Sequence, residues 1–166
     1  MSLNALPLYR VKLDSVKIPA VNRLGGASGH DFEPILASMR VAAASAAVGV
    51  ANAAFEYAKN YAKEREAFGV KIAQKQAIAF MLAEMRTEIE ASRLLTWEAA
   101  WKLDQHHEDA ANEAYLAYTG ASDMAMTVTD RAVQILGGHG YIREHPVEMW
   151  MRNGRGIALL TGLAIV

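Results

Sequence analysis

Apolar residues recur along most of this chain at alternating steps of three and four, the period of a helix with one buried face. The first such run is Ala37, Val41, Ala44, Val48, Ala51, Phe55, Ala58 and Ala62. Most of it is alanine, so a partner helix can approach closely. Asp31 precedes the run as a capping carboxylate, Pro34 is tolerated in a first turn, and Gly69 closes the helix or opens the turn after it. A second run follows in Ile78, Leu82, Met85, Ile89, Ser92, Leu95 and Ala99, with Trp97 and Trp101 one turn apart on another face. Polar residues 104–109 interrupt the pattern. A third run, Ala114, Ala117, Ala121, Met124, Val128 and Ile135, stops at Gly137-Gly138-His139-Gly140, as a helix ending in a left-handed cap does. A shorter helix is predicted after Pro146, including Val147 and Trp150. Three long helices with short connections pack antiparallel, and a fourth piece closes the set. The predicted fold is all-α, an antiparallel up-down four-helix bundle.

Only the N-terminal part departs from this period. Val11 and Leu13, then Val16 and Ile18, fall on spacing two, which predicts a short strand or edge ribbon. Residues 22–29 are a loop by composition. The chain therefore divides into an extended lead-in, residues 1–29, and a helical bundle domain, residues 30–166.

Composition narrows the chemistry. At 166 residues the chain is one ordinary domain, and its net charge of −1 leaves no footprint for nucleic acid or an anionic membrane. No run approaches the ~20 consecutive apolar residues of a spanning helix, so membrane insertion is not expected. No targeting leader is visible at the N-terminus. The absence of cysteine removes disulfides and thiolate nucleophiles and is compatible with a cytoplasmic protein. Adjacent His106 and His107 diverge on a helix, and His139 and His145 lack partners at ligand spacing. All four read as surface or loop histidines, and no metal site is expected. No Gly-x-Ser-x-Gly elbow exists.

Two ordered motifs say more. One is Tyr61-Ala-Lys-Glu-Arg65-Glu-Ala-Phe68-Gly69, with Gln76 and Leu82-Ala-Glu-Met85 after it. The other is Gln134-Ile-Leu-Gly137-Gly138-His-Gly140-Tyr141, followed by Glu144-His-Pro146-Val-Glu148, Arg152-Asn-Gly-Arg155 and Gly162. Together they resemble the acyl-CoA dehydrogenase family over about residues 11–162. The resemblance implies the C-terminal helical domain of a flavoprotein that uses FAD and an acyl-CoA substrate and assembles as a homodimer or homotetramer. It further implies that residues 1–29 end a preceding β-domain and that more chain lies upstream.

What the resemblance carries over is specific to residues. Arg65 matches an arginine sent to the FAD pyrophosphate of a neighbouring subunit, a task suited to a planar, always-charged donor fork. Phe68 and Gln76 match positions beside the flavin nucleotide. Gln134, Gly137 and Gly138 match contacts to the adenosine half of FAD, and Gly162 matches the glycine after the usual catalytic glutamate. Arg40 matches an arginine that reaches the acyl-CoA. Without the family match, Arg40 and Arg65 read as ordinary exposed arginines and the glycines as a helix end and a turn.

The same comparison exposes a departure. The base that removes the α-proton is a glutamate in one of two seats, and here those seats hold Thr161 and Met39. A neutral hydroxyl cannot take a proton from a carbon acid, so the catalytic residue is unassigned. Two further readings stand beside the dehydrogenase: a flavin-dependent oxygenase or oxidase relative, which needs no such base, and a non-catalytic helical assembly module.

Overall fold

The computed structural model describes residues 9–160. Its helices are α1 (Glu33–Glu64), α2 (Gln76–Asp104), α3 (Ala110–Leu136) and α4 (Val147–Ile157). At about 1.5 Å per residue the 32 residues of α1 make a rod of about 48 Å. It runs parallel to α3, with α2 antiparallel to both, and the shorter α4 packs on α3 and α1. The four-helix bundle predicted from the apolar spacing is the observed fold.

The seams explain the packing. Seven of the eight positions in the first run are buried, and Ala43, Ala47 and Ala54 widen the stripe. Alanine costs no side-chain entropy on burial, so α1 and α3 gain close backbone approach without freezing long side chains. The third run is buried throughout. Met85, Ile89, Val128 and Val147 supply the bulk between the helices, each worth roughly 1.5–3 kcal/mol on full burial. The second run needs one correction: Leu95 is exposed and Thr96 takes its place inside. Thr96 is tolerated there because its hydroxyl donates to the Ser92 carbonyl at 2.7 Å, leaving no unpaired polar atom.

Three other expectations change. The predicted strand near residues 11–18 does not form, because no strand pairs with it among the described residues, and Val11, Leu13, Val16 and Ile18 stay exposed. Asp31 acts one residue ahead of the cap position, its carboxylate accepting from the Glu33 N–H at 3.0 Å, and α1 begins there. Finally, α1 is long and apolar enough, by length and composition, to cross a membrane, contrary to the sequence expectation. Ala43, Ala44, Ala47, Ala51, Ala54, Ala58 and Ala62 lie in the packed core of the bundle, while Ala42 and Ala46 are exposed.

Between α1 and α2 lies a small hairpin, β1 (Glu66–Ala67) and β2 (Val70–Lys71). Its two-residue turn is Phe68-Gly69, both with positive φ, 55° and 78°. That is the backbone of a type I′ turn, which suits the twist of paired strands. Gly69 enters it freely, whereas Phe68 does so at a cost of about 1–2 kcal/mol.

Candidate functional site

Two helix C-termini meet at one end of the bundle. α1 ends at Glu64 and α3 at Leu136, and a cleft of about 460 Å³ opens beside them. Tyr61 and Arg65 form one wall with Ala67 and Ile72, and Ile135 to His139 with Ile142 form the other.

Each wall is fixed by backbone. The Arg65 N–H donates to the Tyr61 carbonyl at 2.8 Å, and the Arg65 carbonyl accepts from the Ile72 N–H at 2.9 Å. The main chain is thus held on both sides while the guanidinium has no carboxylate partner among the described residues. Its neighbours do not compete: Lys71 sits 2.7 Å from Glu66 and, by that hydrogen bond, holds the Glu66 carboxyl below its usual range. An unpaired cation on the rim of a cleft is chemistry for an anion.

The three glycines of the other wall are there for different reasons. Gly137 turns the chain out of α3 at φ 58°, where a side chain is strained, and its N–H donates to the Val133 and Gln134 carbonyls. Gly140 is buried against α3, and a Cβ there would stand 2.5 Å from the Val133 carbonyl oxygen. Gly138 has neither reason. Its φ is ordinary and a Cβ would meet nothing within 4 Å. The fold tolerates a side chain at Gly138; what its absence preserves is a bare surface in the cleft.

The remaining wall is a network that sequence spacing missed. The Tyr61 hydroxyl lies 3.1 Å from His139 Nδ1 and the Tyr57 hydroxyl 2.8 Å from His145 Nδ1. The two imidazoles stack edge to face at 5.5 Å, and Trp150 of α4 packs on Tyr57. His139 and His145 are therefore half-buried partners rather than surface histidines, and the two tyrosines four residues apart on α1, Tyr57 and Tyr61, were the one local hint. No group of three or more metal-ligating side chains occurs among the described residues.

The other predicted positions are dispersed. Gln134 is exposed one turn before Gly137, joined to it through its carbonyl. Phe68 is 94 % exposed at the hairpin tip, with Lys75 Nζ over its ring at 5.7 Å, and Gln76 is exposed at the first residue of α2. Neither lines the cleft. Arg40 and Met39 lie some 25 residues back along α1, about 38 Å away. Arg40 is occupied, donating to Glu33 at 2.8 Å and stacking on Tyr115 at 5.2 Å. Met39 is exposed beside it. Thr161 and Gly162 lie outside the described residues.

Residues 32–164 match the family model "Acyl-CoA dehydrogenase, C-terminal domain". The chain is 39% identical over 165 residues to cyclohex-1-ene-1-carbonyl-CoA dehydrogenase of Syntrophus aciditrophicus, covering 98% of this chain and 40% of that protein. It is 39% identical over 158 residues to the mitochondrial short-chain specific acyl-CoA dehydrogenase of Sus scrofa, covering 93% and 38%. The solved butyryl-CoA dehydrogenase of Megasphaera elsdenii superposes with a TM-score of 0.69 at 38% identity, over 78% of this chain and 37% of that one. The fold class is that of a helical dehydrogenase domain. The chain belongs to the acyl-CoA dehydrogenase family, as its C-terminal domain. It spans about 40% of the length of the curated relatives it matches.

Proposed function

We propose that this chain forms the C-terminal helical domain of an FAD-dependent acyl-CoA dehydrogenase, with residues 1–29 leading in from a β-domain. The cleft at the end of α1 and α3 holds the dinucleotide part of FAD carried by a neighbouring copy, in a homodimer or homotetramer. The observation that carries this reading is the convergence of Arg65, which has no carboxylate partner among the described residues, with a bare Gly138 in one open cleft. Arg65 binds phosphate oxygens, Gly137 and Gly138 let the ligand approach the main chain, and Gln134 offers its amide to the adenosine half. Phe68, strained and exposed at the hairpin tip, together with Gln76, packs beside the nucleotide outside the cleft; Gly162 belongs to the flavin side of the site.

When bound, FAD supplies a two-electron acceptor for the β-hydrogen of an acyl-CoA thioester. Arg40 serves the acyl-CoA at the other end of α1, which requires it to exchange Glu33 for the substrate. The cysteine-free sequence is compatible with the cytoplasmic setting we assign. Anaerobic mixing of the complete flavoprotein with a panel of acyl-CoA thioesters tests the reading. Bleaching of the flavin by at least one thioester is expected; an unbleached flavin with the whole panel overturns the dehydrogenase assignment.

The empty seats at Thr161 and Met39 favour one alternative, an oxidase or oxygenase relative. In that case the reduced flavoprotein consumes oxygen while acyl-CoA leaves the oxidised flavin unchanged.

A further inference from the structure

The electrostatics of the cleft do not balance on Arg65 alone. A helix C-terminus carries roughly half a negative charge, so the ends of α1 and α3 together contribute about −1 beside the ligand position. Arg65 contributes +1. In the hairpin Glu66 and Lys71 pair, and Lys75 lies over the Phe68 ring at its tip; the last turn of α1 holds Lys63 and Glu64, exposed and opposite in sign, and the last turn of α3 holds no basic residue. On α4, Glu148 and Arg152 pair at 2.9 Å; Arg143 and Glu144 in the preceding turn are both exposed and opposite in sign. A pyrophosphate brought here gains from any further donor or positive charge that the wall supplies.

One group in the wall can. His139 lines the cleft next to Gly138, and its Nδ1 is taken by the Tyr61 hydroxyl. Its other ring nitrogen, Nε2, has no protein partner among the described residues. With the hydroxyl donating to Nδ1, the neutral ring carries its proton on Nε2 and presents a donor; on protonation Tyr61 accepts instead, and the donor gains a full charge. The ring is held by its hydrogen bond to Tyr61 and by His145, which packs edge-on at 5.5 Å and is itself bonded to Tyr57. Tyr57 and Tyr61 stand one turn apart on α1, whose register against α3 is set by the buried alanine seam.

We propose that His139 is a further binding residue for the phosphates of the dinucleotide in this cleft, with Tyr61 and the Tyr57–His145 pair as positioning residues. The proposal rests on the flavin reading above and extends it to His139, a residue inside the second motif to which the resemblance assigned no role. It makes dinucleotide affinity depend on pH in one direction: protonation of the imidazole strengthens binding, and deprotonation leaves a weaker neutral hydrogen bond.

The test is FAD affinity of the apo-flavoprotein from about pH 5.5 to about pH 8.5, read by flavin fluorescence, for the wild type, His139→Gln, His139→Asn and Tyr61→Phe. The wild type is expected to bind about tenfold tighter at the acid end, the worth of one charge-assisted hydrogen bond. His139→Gln keeps a neutral amide near the Nε2 position, so it should match the wild type at the alkaline end and lose the acid gain. His139→Asn, too short to reach, should be weak and flat throughout. Tyr61→Phe should keep the acid gain but start from a weaker alkaline value. A His139→Gln profile that retains the wild-type slope overturns the proposal. Imidazole NMR of the wild-type protein guards against variants that fail to fold: FAD should move the His139 ring signals and leave His106 in place, and an unmoved His139 overturns the proposal equally. Wild-type protein that binds no FAD at any pH, with Arg65→Gln behaving identically, sinks the flavin reading itself.

Discussion

Two arginines of one helix end in opposite states. Arg40, near the start of α1, is paired with Glu33 and stacked on Tyr115, whereas Arg65, just past its end, is anchored by backbone and has no carboxylate partner among the described residues. The contrast extends to their surroundings. Near Arg40, at the turn joining α2 to α3, charges satisfy one another, with Lys102 bridging Glu98, Asp109 and Glu113. Near Arg65 two helix C-termini and a bare glycine wall face an open cleft. A residue that its own chain has already satisfied must be displaced before it can bind anything. One left unpaired beside a cleft is poised for a ligand.

The largest expected effect separates the two kinds of glycine in that wall. Gly140→Ala forces a methyl to 2.5 Å from the Val133 carbonyl oxygen and should cost about 2–3 kcal/mol in denaturant unfolding. Gly138→Ala meets nothing and should leave stability within about 0.5 kcal/mol of wild type. Its FAD affinity should nonetheless fall several-fold. Equal stability losses at both positions would erase the distinction between packing and cleft.

Arg65→Gln should come next, with FAD binding weakened by about 1.5–3 kcal/mol in a fluorescence titration and unfolding unchanged. Glu33→Gln at the other end removes an exposed ion pair worth about 0–1 kcal/mol, so the melting temperature should barely move. Acyl-CoA affinity should rise once Arg40 is released; a fall would mean that Glu33 orients Arg40 for the substrate instead. The smallest effect is acid stability at the α2–α3 turn. The hydrogen bond from Lys102 holds the Asp109 carboxyl below its usual range. Its contribution is therefore present above the ordinary carboxylate pKa and is lost as pH falls through the lowered value. Lys102→Met should flatten that acid limb in a thermal-melt series, and an unaltered limb would remove Asp109 from the account.

Much of the bundle was legible because alanine at three- and four-residue steps has few other uses. The legible part ends where contacts become remote. Tyr61 and His139 are 78 residues apart and Tyr57 and His145 are 88 apart, so no local window joins them. Leu95 looked like the seam residue because hydrophobicity outranks hydroxyl in any pattern, yet Thr96 satisfies itself on its own helix and goes inside. The hairpin was hidden because Phe68 is a poor sign of positive φ; only Gly69 announced a turn. Alternation at residues 11–18 predicted a strand, but a strand is a property of pairs and none is present among the described residues. In the site, motif positions indicated Arg65 and the glycines, while the reason Gly138 matters emerged only from the space around it.

The central claim is that Arg65 and the Gly137–Gly138 wall receive the phosphates of a dinucleotide. A crystal structure of the complete flavoprotein with FAD measures this directly. The account predicts a phosphate oxygen within about 3 Å of the Arg65 guanidinium, with the nucleotide lying against Gly138. FAD bound elsewhere, with Arg65 turned to solvent and the cleft filled by protein side chains, would contradict it.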